Sequence, residues 1–175
     1  MNNEQLIIVQ HPVTLIESHM KEKDTTLNIL AHAFRDKESM TKMSNADFLY
    51  HLKNYGFSAE HIDSATTWIA QLMQQQFATP TALPAATSLR IFTPEEMAKL
   101  DVTCRNFILY LDHLQILETK TREMVINQVL LLNQDTISTN DIKLVTLIVL
   151  LLQPASDEKI KKLERFALTA GTKTY

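Results

Sequence analysis

Glycine is nearly absent: Gly56 and Gly171 are the only two in 175 residues. Many-stranded β folds need turn glycines to reach positive φ, so such a fold is excluded. Two glycines this far apart cannot build a phosphate-cradling loop either. Cysteine occurs once, as Cys104, which rules out an intrachain disulfide and fits a reducing compartment. Basic residues are not in excess, and the formal net charge is -3. A chain that binds nucleic acid through phosphates carries a basic face, and this composition supplies none. Long apolar runs are missing too. The most apolar stretch, residues 144–152, is interrupted by Thr146 and preceded by Lys143. It falls well short of the ~20 residues that span a bilayer. No basic stretch followed by a long apolar one opens the chain, so secretion is not expected. These absences together lead us to expect a cytoplasmic protein that engages no membrane.

Apolar residues make up 45% of the chain, enough for one core or two small subdomains in contact. Helix formers dominate. The expected fold class is all-α: two small helical subdomains, of about three and four to five helices, joined by a proline-containing linker. The expected division is 1–24 extension, 25–76 first subdomain, 77–89 linker, 90–168 helical bundle and 169–175 tail. In the extension, Leu6-Ile7-Ile8-Val9 has strand-like character, but His11-Pro12 breaks it and no partner strand is evident.

The first subdomain reads as three helices. Residues 25–37 follow Asp24 or Thr25 as N-cap and place Leu27, Leu30, Ala31 and Phe34 on one face. Ser44 caps the second helix, with Phe48, Leu49 and Leu52 as its stripe, and Gly56 ends it. Ser58 then caps a third, with His61 at its N3 position. A DNA-reading helix-turn-helix would place this third helix in the major groove. Its Glu60, His61, Asp63, Thr66, Thr67, Gln71, Gln74 and Gln75 include no cation, which argues against that reading. The Tyr55-Gly56-Phe57 turn resembles that of ubiquitin-associated domains, a resemblance that implies protein binding at most.

Pro80 and Pro84 mark the linker. Thr93-Pro94-Glu95-Glu96 is the strongest start signal in the chain, with threonine at N-cap, proline at N1 and Glu96 completing a capping box. A break is expected near residues 100–102. A stripe of Cys104, Phe107, Ile108, Leu111, Leu114 and Leu117 follows, then a helix over about 120–132 whose end, Val129-Leu130-Leu131-Leu132, is apolar all round as in a buried element. Thr139 is the expected cap of the central helix of the bundle, residues 140–152, which Pro154 stops. Ser156 is read as the cap of a last, charged helix.

Several blocks carry a family resemblance: R-I-F-T-P-E-E at 90–96, L-D-V-T-C-R-N-F-I-L-Y-L at 100–111, T-R-E-M-V-I at 121–126 and D-I-K-L-V at 141–145. The run from Phe48 through Tyr55-Gly56-Phe57 to Trp68 continues it. In these blocks the chain resembles the Smg family, also called DUF494, over most of residues 27–152. The resemblance implies a small bacterial protein and brings no catalytic or ligand residues to transfer. It also implies a gene neighbourhood tied to DNA processing and translation start-up, which is association rather than mechanism.

The candidate partner-binding residues are Arg90, Arg105, Arg122, Tyr110 and Tyr55. An arginine in a matched block suits a partner's carboxylate or phosphate. The structural alternative pairs Arg105 with Asp101 one turn back, and lets Arg122 bridge helices. Six histidines show no close two-ligand spacing, so no metal is expected. Cys104 opens an apolar stripe and reads as a buried filler rather than a nucleophile. No cofactor and no catalytic residue is expected. The leading expectation is a non-enzymatic interaction or adaptor protein with an unidentified protein partner. The alternative, a nucleic-acid-associated regulator, requires Arg90, Arg105, Arg122 and Lys143 to converge on one face.

Overall fold

Capping chemistry sets the elements. The computed structural model describes residues 25–35, 45–77, 90–154 and 156–170, and the expected strand at residues 6–9 lies outside them. Among the described residues there are eight α-helices and no strand. They are α1 (Thr26–Arg35), α2 (Asn45–Asn54), α3 (Ala59–Phe77), α4 (Pro94–Lys99), α5 (Val102–His113), α6 (Thr119–Leu130), α7 (Thr139–Leu151) and α8 (Asp157–Ala170). The fold is all-α. The chain divides into two compact units, Met1–Thr66 and Thr67–Tyr175. That division falls inside α3, ahead of the segment read as a linker, of which residues 78–89 lie outside the described residues.

In the first unit, the Thr25 hydroxyl accepts the Asn28 N–H at 3.2 Å and caps α1. The helix buries more than the expected stripe: Asn28, Ile29 and Ala33 are enclosed along with Leu27, Leu30, Ala31 and Phe34. Gly56 ends α2 at φ +89°, a conformation glycine adopts without strain. Ser58 starts α3, and its hydroxyl lies 2.7 Å from His61 Nδ1, so histidine fills the place a glutamate takes in a capping box.

The second unit is built around α7, which packs against α6, α8 and α5. Eight of the nine α7 positions from Ile142 to Leu150 are enclosed, all but Lys143. Each buried Leu, Ile or Val contributes about 1.5–3 kcal/mol relative to exposure. Trp68, on the part of α3 that belongs to this unit, is buried and donates its indole N–H to the Gln128 carbonyl at 2.8 Å.

The starts and stops are chemically explicit. Thr93 and Glu96 exchange both hydrogen bonds of a capping box, with Pro94 in the first turn. Asp101 separates α4 from α5, its carboxylate accepting the Cys104 N–H at 2.7 Å. Glu118 and Thr121 form the box of α6.

Three expectations need correction, and a fourth, Ser156, gains a second role. Ser138, not Thr139, caps α7, because Asp141 sits three residues after Ser138 and bonds back to its N–H at 2.7 Å. The stripe expected to run to Leu117 outlasts its helix: α5 ends at His113, Gln115 takes φ 56° and turns the chain, and Ile116 and Leu117 are buried from a loop. Ser156 holds the expected N-cap position of α8, its carbonyl accepting the Ile160 N–H at 3.0 Å, while its hydroxyl bonds the Leu150 and Gln153 carbonyls at the end of α7. The apolar end of α6 is only half enclosed: Val129 and Leu132 are buried, whereas Leu131 is 44% exposed where the helix stops.

Candidate functional site

The arginines of the matched blocks sort into two environments. Arg90 donates to both carboxylate oxygens of Glu96 at 2.6 Å each and to those of Glu123 at 3.2 and 2.8 Å. It also donates to the Ile91 carbonyl and lies over the Phe92 ring, 4.6 Å from its centre. Arg122 donates to Glu123 at 2.9 Å and to Asp112 at 2.8 Å. The five residues form one chain of alternating charge linking the approach to α4 with α5 and α6. Arg90, Glu96 and Arg122 are at most 10% exposed at the side chain.

Electrostatics favour the charged forms of Arg90 and Glu96. Burial works against the Arg90 charge, but its hydrogen bonds to Glu96 and Glu123 outweigh that cost and raise its pKa. Burial likewise opposes the Glu96 charge, and Arg90 with the Thr93 N–H still holds its carboxyl below the usual range. Both arginines therefore direct their charge to carboxylates of the same chain.

Arg105 behaves differently. It donates to the Leu100 carbonyl at 2.6 Å, closing the end of α4, in place of the pairing with Asp101 that helical spacing suggested. Cys104 is buried, donates its thiol hydrogen to the Ile137 carbonyl, and is pushed up to about 12 by burial and then by Asp101. A thiol held protonated is no nucleophile at neutral pH.

Two aromatic clusters complete the inventory. In the first unit, His32 stands edge-on to Tyr55 at 4.0 Å and stacks on His51 at 6.1 Å. Tyr55 is 57% exposed. In the second unit, Tyr110 and Phe107 of α5 lie 5.2 and 5.8 Å from Phe166 of α8. Lys143 of α7 is 5.8 Å from the centre of the Phe107 ring. Tyr110 is 43% exposed. A separate open groove of about 520 Å³ runs between α3 and α6, lined by Gln71, Gln74, Gln75, Asn127, Leu130 and Leu131. Among the described residues no group of three or more His, Cys, Asp or Glu is placed to hold a metal ion. Among them, too, no helix is long and apolar enough to cross a membrane.

The family model "Protein of unknown function (DUF494)" matches residues 26–175. The chain is 33% identical over 145 residues to "Protein Smg homolog" of Methylococcus capsulatus, covering 81% of this chain and 92% of that protein. It is 40% identical over 116 residues to "Protein Smg" of Escherichia coli O7:K1, covering 65% of this chain and 74% of the relative. The chain belongs to the Smg family. No solved structure matches it.

In this Smg-family chain, the blocks at 90–96 and 121–126 turn out to meet through Arg90, Glu96 and Glu123. The family match also runs past residue 152, through α8. The structure brings Arg90 and Arg122 together through Glu123, while Arg105 bonds the Leu100 carbonyl, Tyr110 packs on Phe166, and Tyr55 belongs to the first unit. Sequence reasoning missed Glu96, Glu123 and Asp112 as the partners of these arginines. Glu96 reads locally as a capping residue alone, and nothing local ties Arg90 to a carboxylate 33 positions on. It also missed the aromatic face, whose two helices are far apart in the chain, and the exposure of Leu131.

Proposed function

We propose that this Smg-family protein is a non-enzymatic, cytoplasmic interaction protein that binds another protein through the face formed by Phe107, Tyr110 and Phe166. The observation that carries the reading is the partly exposed Tyr110, set against Phe166 on a neighbouring helix with Lys143 close to Phe107. Aromatic side chains held by packing lose little entropy on contact and dominate binding energy at protein interfaces. The nucleic-acid alternative draws no comparable support. It needs Arg90, Arg105, Arg122 and Lys143 available together, yet Arg90 and Arg122 are paired with carboxylates and Arg105 with a carbonyl.

Crosslinking with mass spectrometry in the native cell tests the reading, run with the unaltered protein and with Tyr110→Ala. A reproducible protein partner whose crosslinks fall at least about tenfold with Tyr110→Ala is the expected result. Absence of any reproducible partner, a partner indifferent to Tyr110, or oligonucleotide binding at low salt would each overturn it.

A further inference from the structure

We propose that the protein recognised by the Tyr110 face presents a carboxylate to Lys143 beside an apolar side chain that packs on Tyr110. This rests on the reading above that the face binds a protein, and it names the chemistry of the partner segment: acidic and apolar together.

The charge on this face lacks a counterpart within the chain. Elsewhere in the second unit, carboxylates answer Arg90, Arg122 and Lys159, and carbonyls answer Lys99, Lys120 and Arg105. Lys143 is half-buried, stands 5.8 Å from the centre of the Phe107 ring, and forms no ion pair among the described residues. Its ammonium donates to Asn140 Oδ1 at 3.1 Å, at the surface, which uses one of its three hydrogens. The carboxylates of α5 and α7 are engaged elsewhere, Asp112 with Arg122 and Asp141 with Ser138. Burial lowers the Lys143 pKa, and no neighbouring anion offsets it. Lys162 adds a second positive charge, exposed one turn before Phe166 on α8.

A partner closing over Tyr110 removes more water from the Lys143 ammonium. A carboxylate fills its two remaining donors with charge-assisted bonds and offsets that loss. The rings argue for a protein over a phosphate polymer. Single-stranded nucleic acid asks for a run of cations and for open ring faces on which successive bases stack. Here Phe107 lies against Phe166 with 30° between the planes, and Tyr110 leans on Phe166 at 52°. The three rings therefore make one packed wall, which suits an apolar side chain.

The test uses the full chain against a displayed library of random twelve-residue peptides. Enriched sequences should place Asp or Glu near a large apolar residue. The best peptide should bind about tenfold more weakly to Lys143→Met, which keeps an apolar stem beside Phe107 and loses the charge. Its binding should weaken as salt rises, and Tyr110→Ala should cause a similar loss. Lys143→Glu should reject that peptide and accept it once its acidic residue is changed to Lys, a reversal that misfolding cannot produce. Enriched peptides that need Tyr110 but are not acidic, or are indifferent to Lys143→Met, would overturn the charge assignment and leave the interaction reading standing. Peptides indifferent to Tyr110→Ala, no enrichment at all, or a single-stranded oligonucleotide that binds at low salt through Lys143 would overturn both.

Discussion

At the scale of single residues, the main lesson is where polar groups are buried and who meets them. Arg90 and Glu96 have each other, with Glu123 beside them. Removing one member of such a pair leaves the other charge uncompensated, so Arg90→Met should destabilise the protein by about 2–4 kcal/mol at neutral pH. The Glu96 pKa is lowered in the folded state, so its contribution is present above the usual carboxyl value and is lost as pH falls through the folded value. The gap between Arg90→Met and the unaltered protein should therefore narrow in acid, as denaturant titrations at two pH values would reveal. Gln128 is the opposite case. Its side chain is fully buried and neither amide atom has a partner. Gln128→Leu is expected to be neutral or to stabilise by about 1–2 kcal/mol, because an unmet amide is costly and an apolar group of similar size is not. A lower melting temperature in that variant would contradict this. Cys104 should react with thiol reagents only at the rate of unfolding, checked by labelling across a denaturant series.

At the scale of elements, boundaries follow from a few capping side chains, and those were largely legible. Thr93 and Glu96 do what their spacing suggests, and Asp101 caps α5 at the break expected near residues 100–102. The one-residue slip at α7 arose because Ser138 and Thr139 are both good caps, and the position of Asp141 chooses between them. The overlong stripe of α5 arose because apolar spacing continues through the turn at Gln115, and a left-handed residue other than glycine leaves no mark in the sequence. Gly56 makes the complementary prediction. A Cβ there would meet no heavy atom within 4 Å, so the only penalty for Gly56→Ala is the backbone at φ +89°. That substitution should cost about 1 kcal/mol, read from amide exchange in α2 and the start of α3.

At the scale of the whole molecule, the two units carry different chemistry. The second holds the charge cluster, the aromatic face and the groove, whereas the first holds His32, His51 and His61. The His32 pKa is lowered, first by burial and then by His51 and Arg35, while Tyr55 and Phe57 face its ring. The unfolded chain then binds more protons than the folded one. Stability of the first unit is full above the ordinary imidazole value of about 6.5 and declines as pH falls below it. Hydrogen exchange at pH 7.5 and 5.5 should show earlier opening of α1 and α2 in acid, and His32→Phe should flatten that dependence. Equal protection at both pH values would count against it.

The sequence by itself determined the helical class, most helix starts and the family, because capping groups and three-to-four spacing act within a turn or two of the chain. Tertiary structure alone decided the rest. It set which carboxylates receive Arg90 and Arg122, why α1 is enclosed beyond its apolar stripe, and which end of α6 stays open. Those outcomes depend on side chains of different segments meeting in space, as with Arg90 and Glu123, 33 positions apart, or Trp68 and the Gln128 carbonyl, 60 apart. Such pairings are fixed by which faces have the most apolar surface to bury, a property of the packed helices rather than of any one segment.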